Sequence, residues 1–216
     1  MSEMDFEGMR RAMVAGQLRT VGVDDPAVIA AMASVAREQF LPPERARLAY
    51  AEVSAPIAPG RAMSPPMATG LLLNRLAPRS GERGLVVGAG TGYSAAVLAR
   101  LAGPLIALEE DEVLAAKARA TLAGSDVEVV SGPLAAGWPA GAPYDFILLD
   151  GAVEVVPAAL IEQLADGGRM TAALVEKGVT RLAAGRRSGA GFALIPFADA
   201  EAAPLPGFAL PRTFGF

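Results

Sequence analysis

The sequence predicts an α/β protein: a mostly parallel central sheet covered on both faces, N-terminal helices ahead of it, and an antiparallel edge at its C-terminal end. Three observations carry that expectation. Short apolar runs at Leu85–Val87, Pro104–Leu108, Val127–Ser131, Asp145–Asp150 and Arg169–Val175 alternate with helical stretches, and strands buried on both faces read as continuous hydrophobic runs. A turn dense in glycine, Gly88-Ala-Gly90-Thr-Gly92, joins the first run to a helix. Two late runs, Val179–Ala184 and Phe192–Phe197, follow with no helix between them, which suits antiparallel pairing.

Residues 4–20 read as an amphipathic helix with Phe6, Met9, Met13 and Leu18 on its apolar side, ended by Gly22. Asp24-Asp25-Pro26 supplies a cap and a proline at the first helical position. The helix that follows turns Val28, Ile29, Met32 and Val35 toward the core. From Ala49 to Met67 the chain carries Pro56, Pro59, Pro65 and Pro66 and no clear period, which predicts an irregular loop with a binding or lid role. Helices are expected over Met67–Leu76, Tyr93 to about Ala102, Glu112–Leu122 and Pro157–Leu164, with Gly167-Gly168 stopping the last. The aromatics Phe208, Phe214 and Phe216 near the C-terminus are expected to pack in the core.

The glycine turn is the strongest local signal. Glycine permits a tight turn and lets a ligand approach the backbone without a Cβ in the way. A helix start behind it offers unpaired N–H groups and a positive dipole end. A dinucleotide loop of the form G-x-G-x-x-G would place glycine at Tyr93. The spacing found, G-x-G-x-G followed by an aromatic, suits S-adenosylmethionine better than a pyrophosphate. Gly88, Ala89, Gly90, Gly92 and Tyr93 are therefore candidate cofactor contacts. Glu109 is the first acid after the next apolar run, about twenty residues on, where a carboxylate conventionally takes a ribose diol. Glu110 is a further candidate contact, although Glu110 and Asp111 also read as caps for the following helix.

Composition removes whole classes of chemistry. The 216 residues contain no cysteine and no histidine, so thiolate catalysis, disulfides, sulfur-ligated metals and Ser-His-Asp chemistry are excluded. A formal net charge of −4 gives no basic footprint for nucleic acid. Residues 1–12 are polar and mixed in charge, unlike a signal peptide, and no apolar run approaches a membrane span. The expectation is a cytoplasmic protein, monomeric, binding neither nucleic acid nor membrane. The length suits one domain, divided into residues 1–76, a core at 77–175 and C-terminal strands at 176–216.

Taken in order, these pieces resemble the protein-L-isoaspartate O-methyltransferase family over nearly the whole chain. Met13-Val-Ala-Gly-Gln-Leu-Arg19, Val35-Ala-Arg37-Glu38 and Phe40-Leu41-Pro42 follow the family's N-terminal pattern. Gly60-Arg-Ala-Met-Ser64-Pro-Pro66 is similar to the family's serine motif, Val87 to Ala99 to its cofactor loop, and Gly137-Trp138-Pro139 with Gln163 and Gly167-Gly168-Arg169 to its C-terminal half. The resemblance implies a Rossmann-like S-adenosylmethionine-dependent methyltransferase fold. It also implies methyl transfer to the carboxylate of isoaspartyl residues in damaged peptides or proteins, with Ser64 at the active site. Ser64 also reads as an N-cap for the helix at Met67.

The chain departs from that family at three places. An acid expected two positions before the loop's first glycine is Val86, the Gly-Asp-Gly near the adenine is Gly132-Pro133-Leu134, and the Gln-Thr of the serine motif is Arg61-Ala62. Gly132, Pro133 and Leu134 remain candidate contacts by position, with Asp150 a replacement acid. Lost charged hydrogen bonds, at about 1.5–3 kcal/mol each, predict weakened cofactor binding. Arg61 suggests a different acceptor as one alternative. A protein that kept the fold and lost the cofactor is another.

Overall fold

The computed structural model describes residues 4–210. Seven strands form one sheet in the order β5-β4-β3-β6-β7-β8-β9: β3 (Gly84–Val87), β4 (Leu105–Glu109), β5 (Val127–Ser131), β6 (Tyr144–Val153), β7 (Leu164–Glu176), β8 (Val179–Arg186) and β9 (Ile195–Asp199). The first five are parallel, and β8 and β9 add an antiparallel edge. Ahead of them β1 (Ala55–Ala58) and β2 (Arg61–Met63) make a separate antiparallel hairpin.

Alternation along the central strands divides the core into two layers. Val86, Ala107, Phe146 and Leu148 face one side. Leu85, Val87, Ile106, Leu108, Ile147 and Leu149 face the other. The first layer receives α1 (Phe6–Met13), α2 (Pro26–Ser34), α3 (Pro66–Leu76), α4 (Tyr93–Leu98) and α5 (Glu112–Thr121). The second is covered by α6 (Ala158–Glu162), the segment after β5, and Leu205 and Phe208 of the tail. Gly84 is required where it stands: a Cβ there would lie 2.2 Å from the Phe146 ring on the neighbouring strand.

Several elements differ from their sequence reading. The first helix continues beyond Met13 as a π turn over Val14–Leu18 and a 3-10 turn over Arg19–Val21, then ends at Gly22 with φ +90°. The stretch expected to be irregular contains the β1–β2 hairpin, with Pro56 inside its first strand. Such a proline is tolerated on a two-stranded ribbon, where one side of each strand needs no ladder donor. Helix α4 stops at Leu98, and α6 covers only five residues. β6 runs three residues past Asp150, and β9 begins at Ile195 rather than Phe192. Phe208 is buried as expected; Phe214 and Phe216 lie outside the described residues.

Candidate active site at the sheet's switch point

The chain winds outward from β3 to β4 and β5, then crosses back to place β6 on the other side of β3. Loops after neighbouring strands part at such a switch point and leave a crevice beyond their C-terminal ends. Gly88–Gly92 follows β3, Glu109 ends β4, and Asp150 lies near the end of β6, so these candidates converge there.

The loop is left-handed at Gly88, Gly90 and Gly92, with φ of +79°, +57° and +98°. Its donors are already used. The Gly88 and Ala89 amides both donate to the Leu108 carbonyl, and Gly92 donates to Ala89. Gly90 donates to Glu109 Oε2 at 2.7 Å. Three of these four amides close the turn on β4, and the fourth closes it on the loop itself.

Glu109 is fully buried and saturated. Its Oε1 accepts from Arg61 Nη1 at 2.6 Å and from the Glu110 and Asp111 amides at 3.0 Å each. Its Oε2 accepts from Arg61 Nη2 at 2.7 Å as well as from Gly90. Burial pushes the Arg61 pKa down, but the hydrogen bonds and charge of Glu109, helped by Glu110 and Asp150, leave it raised. Arg61, which the sequence offered as a sign of a different acceptor, here faces the acid expected to hold a sugar. With about four lone-pair positions all taken, the Glu109 carboxylate can accept a ribose diol only after Arg61 leaves.

Beneath the loop, Arg37 is 1% exposed. Its Nε donates to the Ala49 carbonyl at 2.7 Å and its Nη2 to the Ser64 carbonyl. Its guanidinium carbon lies 4.5 Å from the centroid of the Tyr93 ring. The Ser64 hydroxyl, the Tyr93 hydroxyl and Arg37 Nη1 are all buried without a protein partner. Ser64 does not cap α3: the residue before that helix's first position is Pro65, and no side chain caps it. Burial raises the Tyr93 phenol pKa despite the nearby Arg37. Asp150 is pushed up to about 6 by burial, which the Ser94 hydroxyl, Arg37 and Arg61 only partly offset. Sequence reasoning placed Arg37 only within a family pattern. An arginine three residues before Phe40-Leu41-Pro42 was the available signal, but nothing local tells that it is buried or that its fork reaches Ala49 and Ser64.

The remaining candidates scatter. Asp111, not Glu110, caps α5, accepting from Val113 and Leu114; Glu110 is exposed. Gly132 sits near Leu108 and Trp138. Pro133 is exposed, and Leu134 is wholly buried in the second core layer. Leu134 is therefore a core residue, turned inward because the 3-10 turn at Leu134–Ala136 packs against α6. Val86 is buried in the first layer among apolar neighbours.

In this conformation the space against the glycine loop is narrow. The cavity lined by Ile57, Met63, Gly88, Gly90, Tyr93 and Asp150 measures about 10 Å³, room for about one water, whereas small-molecule clefts of this kind span roughly 300–1,000 Å³. Ile57 lines it and Leu205 packs on Gly88 beside it: a Cβ on Gly90 would lie 2.8 Å from Ile57 Cδ1, and one on Gly88 2.5 Å from Leu205 Cδ2. Neither Val86 nor Pro133 lines this cavity.

A family model described as protein-L-isoaspartate(D-aspartate) O-methyltransferase matches residues 9–194. The protein-L-isoaspartate O-methyltransferase of Methylorubrum populi is 46% identical over 166 residues, covering 76% of this chain and 78% of its own. That of Methanoregula boonei is 44% identical over 164 residues, covering 74% and 76%. Among solved structures, a protein-L-isoaspartate O-methyltransferase superposes with a TM-score of 0.79 at 23% identity, covering 92% of this chain and 66% of that one. A Plasmodium falciparum β-aspartate methyltransferase in complex with S-adenosyl-L-homocysteine gives 0.77 at 17% identity, covering 93% and 98%. Among the described residues no helix is long and apolar enough to cross a membrane. With its sheet order, its glycine loop after β3 and these relatives, the chain belongs to the protein-L-isoaspartate O-methyltransferase family.

Proposed function

We propose that this protein transfers a methyl group from S-adenosylmethionine to the carboxylate of isoaspartyl residues in damaged peptides and proteins. The observation that carries the reading is the match over residues 9–194 to a family defined by that reaction. The absence of histidine is compatible with it. An isoaspartyl carboxyl has a pKa near 4 and is ionised at neutral pH, so it needs no general base. What the protein must supply is position and exclusion of water. Ser64 suits the first task. Its carbonyl is held by Arg37, and its hydroxyl is buried and unpartnered, available to donate to an acceptor carboxylate. Cytoplasmic location, a monomeric state and acceptors other than nucleic acid belong to the same reading, the last supported by the net charge of −4.

The test is methyl incorporation from labelled cofactor into an isoaspartyl peptide, with the aspartyl isomer as control. Ser64→Ala should lower kcat/KM by roughly tenfold to a hundredfold, the worth of a hydrogen bond to a charged group. Equal labelling of both isomers would refute the acceptor assignment.

A further inference from the structure

We propose that Arg61 and Leu205 form a latch that holds the cofactor cleft shut in the resting protein. Admission of the cofactor then requires the Arg61 guanidinium to leave Glu109 and Leu205 to lift from Gly88. The inference rests on the methyl-transfer reading for the identity of the ligand, and on geometry for the latch itself.

Two spaces lie on either side of these side chains. The inner cavity against the glycine loop is about 10 Å³. An outer cleft of about 390 Å³ is lined by Pro59, Gly60, Arg61, Glu110, Pro204 and Leu205. Arg61 and Leu205 thus wall the outer cleft while reaching Glu109 and Gly88, which belong to the loop side. Withdrawing both side chains extends the outer space to Glu109 and Gly88, with Ile57 remaining as the wall over Gly90, at a scale that suits a nucleoside-sized ligand.

Each half of the latch is built for its position. Arg61 opens β2 of a hairpin outside the main sheet, and because Ala55, Ile57 and Met63 anchor that hairpin in the core, the Arg61 side chain rather than the strand is the part that swings. Its guanidinium meets Glu109 through a bidentate pair whose side chains are 9% and 0% exposed, a geometry that fixes direction as well as distance. Glu109 keeps three backbone donors when Arg61 departs, so opening does not strand a bare carboxylate. Leu205 lies on a tail segment bonded to the end of β6: Ala152 donates to Ala203 and accepts from Leu205, at 2.7 and 2.8 Å. Its side chain rests on two residues without a Cβ, Gly88 and Gly151. Phe208, 1% exposed, anchors the segment three residues on, so Leu205 can withdraw without release of the tail.

The experiment measures the dissociation constant of S-adenosylhomocysteine by calorimetry for the full chain, Arg61→Gln, Leu205→Ala and the double variant, with thermal unfolding as a control of folding. A site open in about one molecule in ten or fewer loses at least about tenfold in apparent affinity. Arg61→Gln should therefore bind at least about tenfold tighter than the parent, and the double variant tighter than either single one. Arg61→Lys, which keeps the charge but not the fork, should fall between and replaces the glutamine variant if that fails to fold. Equal affinity for parent and single variants overturns the latch, and absence of binding in every folded variant overturns it together with the methyl-transfer reading. Tighter binding by the variants without isoaspartyl methylation leaves the latch standing and overturns only the acceptor assignment.

Discussion

Replacing Arg37 by methionine should destabilise the protein by about 2–4 kcal/mol, a figure that follows from what its guanidinium touches. The side chain donates to the carbonyls of Ala49 and Ser64, 12 and 27 residues away. Hydrogen bonds from a charged donor contribute about 1.5–3 kcal/mol each, and the stacking on Tyr93 adds about 1 kcal/mol. Against this stands a burial cost of several kcal/mol for the charge, unrelieved at Nη1. Methionine removes that cost and fills most of the volume, but leaves two buried carbonyls without donors. For a chain of this length the net loss lowers Tm by roughly 4–16 °C. Urea unfolding followed by circular dichroism gives the free energy, and calorimetry gives Tm. Arg37→Lys should lose at least half as much, because an ammonium lacks the fork that reaches both carbonyls. A methionine variant within 0.5 kcal/mol of the parent would refute the claim that this arginine ties the Ser64 turn to the body of the fold.

Three further outcomes are expected. The Asp150 carboxyl, with its pKa raised from 3.8 to about 6, holds its proton longer in the native than in the unfolded state, so its burial costs nothing at low pH and about 1–3 kcal/mol above pH 6. Asp150→Asn should therefore raise Tm at pH 7.5 and leave it unchanged near pH 3.5; a pH-independent difference would contradict this. Glu82 is shifted the other way: burial raises its pKa, but the hydrogen bonds from Arg169 and the Arg79 amide lower it more. Its contribution is present above its unfolded pKa of 4.5 and lost as pH falls through the lower native value, so Glu82→Gln should lose stability at pH 7 and match the parent in strong acid, read from paired unfolding curves. Gly88→Ala should cost about 1–2 kcal/mol for its left-handed backbone and about 1–3 kcal/mol for overlap with Leu205. In a Leu205→Ala background only the first cost should remain, a coupling that a double-mutant cycle detects.

Much of the fold was legible because its strands carry their own signal. Leu85–Val87, Leu105–Leu108 and Phe146–Leu149 are buried on both faces and so are apolar at every position, and glycines mark where several of them turn. The antiparallel edge was legible from the missing helix between β8 and β9. The β1–β2 hairpin was not, because Pro56 and Pro59 erase the alternation on which a strand reading depends. Nor was the shortness of α4, whose small apolar residues continue past Leu98 into a turn that periodicity does not distinguish from helix. The same limit hid the site's central contact. Arg61 and Glu109 are 48 residues apart, and no local pattern says which carboxylate a cation on a loop will meet.

The three departures from the family pattern act on one quantity, the charge the cleft presents. Val86 and Pro133 stand where acids were expected, which leaves Glu109, Glu110 and Asp150 facing Arg37 and Arg61. Three carboxylates and two guanidiniums leave the site one charge negative when Asp150 is ionised, and neutral once it takes up a proton below about pH 6. A sulfonium carries positive charge, so the paired Arg61 weakens the attraction that the acids would otherwise exert. Release of Arg61 changes both terms at once. It frees the lone pairs of Glu109 and moves a positive charge away from two acids, so opening the latch also creates the negative field that a cationic cofactor needs. The guanidinium that blocks the cleft thus also masks its charge, and a neutral sulfide product should feel the block while gaining less from the charge that opening unmasks.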